Sequence, residues 1–192
     1  MIKNIIFDIG GVMFDDSTEN VNHVLGRDSK ELCKKIYGKG FRECILGNME
    51  ISDYVESFKN DSDYELIKDI TNNLDIFYPI MRTNFEYISK LKDKGYKLYI
   101  LSNITKESYE YVNKTINIDS IFEGGIYSYQ EGLRKPDKEI FELLLNRYNL
   151  KREECIFFDD KQRNVDSANE LGIRSYVFNN IKDIEDVLWN TN

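Results

Sequence analysis

The 192-residue sequence contains little cysteine, histidine or proline: three Cys, one His and two Pro. The cysteines (Cys33, Cys44 and Cys155) are odd in number and scattered without a CxxC pair, which argues against a disulfide framework and a zinc finger. The scarcity of proline, together with only 11 glycines, excludes a collagen-like or low-complexity chain. We therefore expect a globular protein with reduced thiols, as in the cytoplasm.

An excess of positive charge and a long apolar run are also lacking. The chain has 26 Lys and Arg against 34 Asp and Glu, a net charge of −8, which argues against binding to nucleic acid. No apolar run approaches the roughly 20 residues that span a bilayer. The first residues, MIKNIIFDIGG, reach an acidic residue and glycines too early for a signal peptide. We expect a cytoplasmic protein that binds neither nucleic acid nor membranes.

Short apolar runs alternate with helical stretches along most of the chain. The runs are rich in Ile, Tyr, Phe or Val and do not alternate with polar residues, which is typical of strands buried on both faces. They lie at residues 4–7, 97–101, 155–158 and 175–178. Pro79 can begin a helix that extends to about Lys94, Pro136 stands at the start of another, and residues 164–171 form a third. This alternation predicts an α/β fold with a doubly wound parallel sheet.

Residues 15–79 break the alternation. They contain no clear buried strand, but Leu32 and Ile36 share a helix face, and apolar residues recur at helical spacing from Ile51 to Phe58. A crossover between parallel strands needs only about a dozen residues, so this stretch is too long to be one. We predict a small all-helical insert at 15–79 and an α/β core formed by residues 1–14 and 80–192.

Polar residues follow the apolar runs where the predicted strands end. In an open parallel sheet, ligands bind outside the carboxyl ends of the strands, so these residues should meet at one edge. They are Asp8 after the first run, Ser102 and Asn103 after the second, Asp159 and Asp160 after the third, and Lys135 before a helix.

Three carboxylates at one edge repel each other and need a counter-charge. A set of oxygen ligands without His or Cys favours Mg²⁺ over zinc or copper. A cation, a lysine and a hydroxyl that converge on one point form a cradle for a phosphate group. A carboxylate beside such a cradle can attack phosphorus and form an aspartyl-phosphate.

The segments IIFDIGG, LYILSN, RKPD and FFDD occur in this order, and by them the sequence resembles the haloacid dehalogenase-like superfamily of phosphohydrolases. Within it, the chain looks similar to small-capped sugar-phosphate phosphatases of the α-D-glucose-1-phosphatase type. The resemblance implies a Mg²⁺-dependent phosphatase that hydrolyses a small phosphorylated metabolite through an aspartyl-phosphate. It also implies that the helical insert is a cap that selects the substrate.

The resemblance also implies a role for each residue at the edge. Asp8 would be the nucleophile, and Lys135 would neutralise charge on Asp8 and on the transferring group. The phosphate would be held by Ser102, Lys135 and the backbone amide of Asn103. Mg²⁺ would be bound by Asp8, the carbonyl of Gly10 and Asp160, with Asp159 supporting these ligands from outside.

One position departs from the family pattern. Most phosphatases that the sequence resembles carry a second Asp two residues after the nucleophile, as general acid and base, and here that residue is Gly10. General acid–base catalysis contributes about 10²–10⁴ to a rate. Asp15 and Asp16 are candidates for a substitute acid, and we take Asp15 as the hypothesis to test. Two alternatives stay open: a 2-haloacid dehalogenase-type hydrolase, and a non-catalytic protein that binds phosphorylated metabolites.

Overall fold

The computed structural model describes residues 1–189 and contains one parallel sheet of five strands in the order β3-β2-β1-β4-β5. The strands are β1 (Asn4–Phe7), β2 (Lys97–Ser102), β3 (Gly124–Tyr127), β4 (Cys155–Asp159) and β5 (Arg174–Val177). In the centre of the sheet Ile6 pairs with Tyr99 on one side and with Phe157 on the other. Strand β1 is therefore the middle strand. The residue that follows β1 lies between the ends of β2 and β4.

Twelve α-helices connect and extend the strands within residues 1–189. Seven lie between β1 and β2: α1 (Thr18–Leu25), α2 (Lys30–Ile36), α3 (Lys39–Ile45), α4 (Ile51–Glu56), α5 (Tyr64–Asn72), α6 (Leu74–Phe77) and α7 (Arg82–Ser89). The others are α8 (Lys106–Ile116), α9 (Ser128–Glu131), α10 (Lys138–Arg147), α11 (Gln162–Glu170) and α12 (Ile181–Trp189). None of them is long and apolar enough to cross a lipid bilayer.

The sheet is buried on both faces. Neighbouring residues of β1 point in opposite directions, so Ile5 and Phe7 pack in one apolar cluster and Ile6 packs in another. The same split separates Phe158 from Phe157 on β4. Because helices cover both faces of the sheet, the residues on both sides of each central strand are apolar, which gives a continuous apolar run in the sequence. The α/β fold with a doubly wound parallel sheet is thus confirmed.

The helical insert has an apolar cluster of its own. Its buried members all lie between residues 21 and 77, and they are Val21, Leu32, Cys33, Ile36, Val55, Ile67, Ile70 and Phe77. Val55 belongs to this cluster and Phe58 packs against it; both lie in the stretch from Ile51 to Phe58 where apolar residues recur at helical spacing. An all-helical insert after the first strand is therefore present, while the domain boundaries at 14/15 and 79/80 stay a prediction.

The insert leaves and rejoins the sheet through a short pairing of its two ends. The Asp15 N–H donates to the Pro79 carbonyl over 2.9 Å, and the Met81 N–H donates to the Met13 carbonyl over 2.8 Å. Phe14 and Ile80 also form an antiparallel bridge. The sequence had predicted that a helix begins at Pro79. Because the residues of this pairing are extended, helix α7 begins at Arg82 instead.

Strand β3 was not predicted from the sequence. It starts with Gly124 and Gly125, and glycine is a poor strand former that weakens any pattern-based assignment. At Gly124 an added Cβ would overlap the Tyr148 ring, so the strand depends on a close approach that only the folded chain reveals. The other four strands begin and end within one or two residues of the predicted runs.

We expect the packing of α10 on the sheet to be a major source of stability. Leu144 is fully buried in the cluster that contains Ile6 and Phe157, whereas the neighbouring Leu143 is only half-buried. Leu144→Ala should lower the free energy of unfolding by about 2–5 kcal/mol because it leaves a cavity. Leu143→Ala is the matched control and should cost clearly less. Urea unfolding followed by circular dichroism measures both, and equal losses would contradict this packing.

Candidate active site

Side chains from four separate parts of the chain meet at the carboxyl edge of the sheet. Asp8 directly follows the central strand β1, Ser102 is the last residue of β2, and Asp159 is the last residue of β4. Oxygen atoms of Asp8, Asp159 and Asp160 lie within 4.8 Å of one another. Lys135 reaches the same point from the loop before α10.

The Lys135 side chain is completely buried between two carboxylates. Its Nζ lies 2.8 Å from Asp8 Oδ2 and 2.6 Å from Asp159 Oδ2. A buried ammonium group is tolerated only when it is paired and hydrogen-bonded, and these two contacts supply the pairing. Lys135 therefore joins the ends of β1 and β4 electrostatically.

Asp8 is held by hydrogen bonds as well as by charge. Its Oδ1 accepts from the Ser102 hydroxyl at 2.7 Å and from the Ile9 backbone N–H at 2.7 Å. Burial alone would raise the pKa of Asp8, but Lys135 and Lys161 outweigh burial and hold this pKa below its usual value. Asp8 is thus an ionised carboxylate in a site that is nearly closed to solvent.

The hydrogen-bonding capacity of Asp159 is largely used within the protein. Besides Lys135, it accepts from the Lys161 backbone N–H at 2.9 Å and from the Asn164 side-chain amide at 2.8 Å, both at Oδ1. Burial raises the pKa of Asp159 above its usual value, in spite of Lys135. This bonding fits a residue that positions its neighbours. Asn164, which the sequence analysis did not single out, contributes to it.

Asp160 has an oxygen atom without a partner. Its Oδ1 is buried and accepts no hydrogen bond from any of the described residues. Burial, with Asp8 and Asp16 nearby, raises the pKa of Asp160 to about 6. The side chain lies against Gly11, where an added Cβ would be 2.6 Å from the carboxylate and where φ is +68°. Gly11 is therefore required both by its left-handed backbone and by the approach of Asp160.

These carboxylates fit a divalent cation. The donors are all oxygen atoms, as hard cations such as Mg²⁺ prefer, and the buried Oδ1 of Asp160 lacks a partner that a cation would supply. With Asp16 included, four carboxylates contact or closely surround two ammonium groups, Lys135 and Lys161. The acidic side chains therefore outnumber the basic ones, an imbalance that a divalent cation would reduce.

Lys161 is a site residue that the sequence analysis missed. Its Nζ lies 3.4 Å from Asp160 Oδ2 and 3.7 Å from Asp16 Oδ2. Burial disfavours its charge, but the surrounding carboxylates, Asp16 and Asp8 first, hold the pKa of Lys161 above its usual value. The only signal for Lys161 in the sequence was its position directly after Asp159 and Asp160. Many solvent-exposed lysines also follow acidic residues, so this signal was weak.

The two candidates for a substitute acid have different surroundings. Asp15 Oδ1 accepts from the Ser17 backbone N–H at 3.0 Å, so it closes a turn before α1. The Asp16 carboxylate lies beside Gly10, where an added Cβ would be 2.6 Å from Asp16 Oδ2. Burial, followed by the charge of Asp8, raises the pKa of Asp16. The hypothesis for Asp15 stays a prediction.

The Asn103 side chain bonds to the backbone of Lys135. Its Nδ2 donates to the Lys135 carbonyl over 2.8 Å, and its Oδ1 accepts from the Lys135 N–H over 2.8 Å. This reciprocal pair fixes the lysine loop against the end of β2. The expected role of the Asn103 backbone amide in holding phosphate stays a prediction, as does the role of the Gly10 carbonyl as a metal ligand.

A cleft of about 1240 Å³ opens over these residues. One side is formed by the sheet edge, including Asp8, Asn103 and Asp160. The opposite side is formed by the helical insert, which includes aromatic, basic and aliphatic residues between the end of α2 and the end of α3. The members from this part of the insert are Tyr37, Gly38, Lys39, Phe41, Arg42 and Ile45. A small molecule that enters the cleft would therefore touch both the charged edge and the insert.

Known proteins resemble this chain over nearly its whole length. It is 28% identical over 189 residues to a D-ribitol-5-phosphate phosphatase of Bacteroides thetaiotaomicron, covering 92% of this chain and 91% of that protein. It is 27% identical over 183 residues to a phosphorylated carbohydrates phosphatase of Thermotoga maritima, covering 90% and 82%. A crystal structure of a haloacid dehalogenase family enzyme from B. thetaiotaomicron, in a magnesium complex, superposes with a TM-score of 0.72 at 23% identity, covering 92% and 93%.

The family of haloacid dehalogenase-like hydrolases matches residues 2–172 of this chain. The match spans β1, the helical insert and all four segments on which the resemblance was based. The expected family and enzyme class are therefore confirmed: the chain belongs to the haloacid dehalogenase-like hydrolases.

Proposed function

We propose that this chain is a Mg²⁺-dependent phosphatase that hydrolyses a small phosphorylated carbohydrate through an aspartyl-phosphate on Asp8. The observation that carries the proposal is the position of Asp8: an ionised carboxylate after the central strand, bonded to Lys135 and Ser102, at the base of the cleft. A phosphorylated substrate is supported by the names of two relatives, which are phosphatases of ribitol-5-phosphate and of phosphorylated carbohydrates.

The first chemical step is attack by Asp8 on phosphorus. A carboxylate oxygen of Asp8 forms a bond to phosphorus while the bond to the sugar oxygen breaks, and that oxygen leaves with the bonding electrons. In the second step water attacks the phosphorus, the bond to Asp8 breaks, and inorganic phosphate leaves. Phosphoryl transfer depends on positioning and charge neutralisation, because its transition state carries charge on three equatorial oxygens.

Lys135 and Ser102 provide the positioning and part of the charge. Before substrate binds, both contact Asp8 and fix the orientation of its carboxylate. Once Asp8 attacks phosphorus its negative charge is consumed, so the ammonium and the hydroxyl become available to the phosphoryl oxygens. Asp159 keeps Lys135 in place from the other side.

Asp8, Asp160 and the Gly10 carbonyl are the groups that we expect to hold Mg²⁺. The unpartnered oxygen of Asp160 and the closeness of the carboxylates support this assignment. When bound, Mg²⁺ acts as a Lewis acid that neutralises charge on the phosphoryl oxygens. Asp159 supports the ligands from outside through its bonds to the Lys161 N–H and Asn164.

The helical insert should select the substrate. Aromatic rings at Tyr37 and Phe41 and cations at Lys39 and Arg42 line the cleft opposite the acidic edge. Such a lining suits a polar molecule with an apolar carbon face, as in sugar phosphates. The cleft also limits the access of bulk water to the phosphoenzyme.

The proposed reaction predicts the effect of removing the nucleophile. In a phosphate-release screen over sugar phosphates with Mg²⁺ present, the wild-type protein should release phosphate, and Asp8→Asn should lose about a thousandfold or more of kcat. Asp93→Asn, at an exposed site before β2, is the matched control and should retain wild-type activity. Saturable binding of sugar phosphates without turnover by the wild-type protein would instead support the non-catalytic alternative.

Removal of divalent cations should abolish phosphate release. For the wild type we expect no activity in EDTA and full recovery on addition of Mg²⁺. The Asp160→Asn variant should need about tenfold or more Mg²⁺ than the wild type to reach half of its maximal activity. A dehalogenase-type hydrolase does not depend on a metal ion. Activity that survives chelation, with halide released from a 2-haloacid, would therefore reject the phosphatase in favour of that alternative.

Loss of Lys135 should destabilise the protein even without substrate. Lys135→Met leaves Asp8 and Asp159 buried without their counter-charge, which should cost about 3–5 kcal/mol in the free energy of unfolding. Adding Asp159→Asn should recover part of that loss, because it removes one of the two charges. Denaturant unfolding in EDTA measures both variants. A Lys135→Met protein as stable as the wild type would refute the central place of this ion pair.

A further inference from the structure

Cleavage of a sugar phosphate requires a proton at the leaving oxygen. An alkoxide is a strong base, so the bond between phosphorus and the sugar oxygen breaks readily only if that oxygen is protonated as it leaves. The water that attacks the aspartyl-phosphate must in turn lose a proton. Gly10, two residues after Asp8, has no side chain with which to carry either proton.

The space beside Gly10 is occupied by another carboxylate. A Cβ built on Gly10 would lie 2.6 Å from Asp16 Oδ2 and 3.1 Å from Asp16 Cγ. The backbone of Gly10 is not in the left-handed region, so its conformation does not demand glycine. What excludes a side chain at this position is the Asp16 carboxylate itself, which stands where a residue-10 side chain would begin.

Apart from Asp160, whose unpartnered oxygen we assign to Mg²⁺, the other acidic groups of the site are already engaged or lie farther out. Asp159 bonds to Lys135, to the Lys161 N–H and to the Asn164 amide. Asp15 accepts the Ser17 N–H. Of the acidic residues that line the cleft farther out, Glu107 accepts from the Ile51 N–H and Glu19 is exposed.

Asp16 is left facing the cleft beside the nucleophile. It lines the cleft together with Asp8 and Gly10. Lys161 Nζ lies 3.7 Å from its Oδ2, and the same ammonium lies 3.4 Å from Asp160, which fixes the direction of the Asp16 carboxylate without closing it off. The Tyr78 hydroxyl is also near, 3.5 Å from the position that a Cβ on Gly10 would take.

We propose that Asp16 is the catalytic acid and base of this enzyme, reaching from the chain after β1 into the place that Gly10 leaves vacant. This assignment rests on the proposed phosphatase function. In the first step the Asp16 carboxyl gives its proton to the sugar oxygen as the bond to phosphorus breaks, and becomes a carboxylate. In the second step that carboxylate takes a proton from the water that attacks the aspartyl-phosphate, which restores the carboxyl group.

Two substrates separate proton donation from the rest of the reaction. A sugar phosphate has a poor leaving group, whereas p-nitrophenyl phosphate releases a phenolate that needs no proton. For Asp16→Asn with the sugar phosphate, we expect the single-turnover rate to fall about 10²–10⁴-fold. With p-nitrophenyl phosphate the first turnover should stay within a few-fold of wild type, followed by a slow steady state because hydrolysis of the phosphoenzyme lacks its base.

Asp15→Asn and Asp93→Asn are the comparison variants. Asp15 carries the competing hypothesis, and Asp93 is exposed at the opposite end of the sheet. A leaving-group-dependent loss in Asp15→Asn but not in Asp16→Asn would give the role to Asp15 and overturn the proposal. An equal loss with both substrates in the first turnover of Asp16→Asn would also overturn it.

Mg²⁺ binding distinguishes proton transfer from metal ligation. Isothermal titration calorimetry with Mg²⁺ alone should show only a small loss of affinity for Asp16→Asn, from one lost negative charge nearby, and a clearly larger loss for Asp160→Asn. If Asp16→Asn weakens Mg²⁺ binding as much as Asp160→Asn does, Asp16 is a metal ligand and the proposal is wrong.

An exchange of positions tests the geometric argument directly. Asp16→Ala removes the carboxylate and makes room beside Gly10, so that Gly10→Asp combined with Asp16→Ala returns a carboxylate to the same place. We expect this double variant to turn over the sugar phosphate about tenfold or more faster than Asp16→Ala alone. No recovery in a folded double variant that binds Mg²⁺ like the wild type would contradict the assignment.

The outcomes separate this proposal from the proposed function. A wild-type protein that releases no phosphate from either ester with Mg²⁺ present would refute the phosphatase, and the assignment of Asp16 would fall with it. An active wild-type protein that loses its activity in Asp8→Asn but not in Asp16→Asn would leave the phosphatase standing and overturn only the role of Asp16.

Discussion

The buried ammonium group of Lys135 is the contact on which the rest of the site depends. It lies 2.8 Å from Asp8 and 2.6 Å from Asp159, and its side chain is completely removed from solvent. Without it, two carboxylates at the ends of adjacent strands would be buried with no counter-charge, at a cost of several kcal/mol. The loop that carries it is held by the reciprocal bonds to Asn103 and by the Ser167 hydroxyl, which donates to the Pro136 carbonyl. Strand ends, loop and charge are thus mutually dependent.

The same electrostatic balance connects stability to function. The site holds more acidic than basic side chains, and the buried Oδ1 of Asp160 has no partner among the described residues. A carboxylate in that condition is destabilising for the folded chain alone and favourable for binding a divalent cation. The unpartnered carboxylate of Asp160, which suits a divalent cation, is therefore also a group that lowers the stability of the folded chain alone.

Much of the fold was predictable because parallel strands buried on both faces leave continuous apolar runs. Four of five strands were located in this way, and β3 escaped because Gly124 and Gly125 carry no apolar pattern. The helical insert was evident from spacing, but the beginning of α7 was not, since the pairing of Phe14 with Ile80 extends the chain past Pro79. The polar residues at the strand ends could be named in advance because the topology forces all carboxyl ends to one edge.

From the amino-acid sequence alone, four of the five strands could be located, Asp8, Ser102 and Asp159 could be placed at strand ends, and Gly10 could be seen to offer no acid. The sequence could not distinguish Asp15 from Asp16, because two adjacent carboxylates have the same chemistry until the chain direction is fixed. Asp15 accepts the Ser17 N–H in a local turn, whereas the position of Asp16 beside Gly10 depends on the folded chain. The tertiary structure also placed Lys161 between Asp16 and Asp160. The contacts of Asp16 and Lys161 depend on the path of the turn after β1 relative to β4, which short-range patterns do not encode.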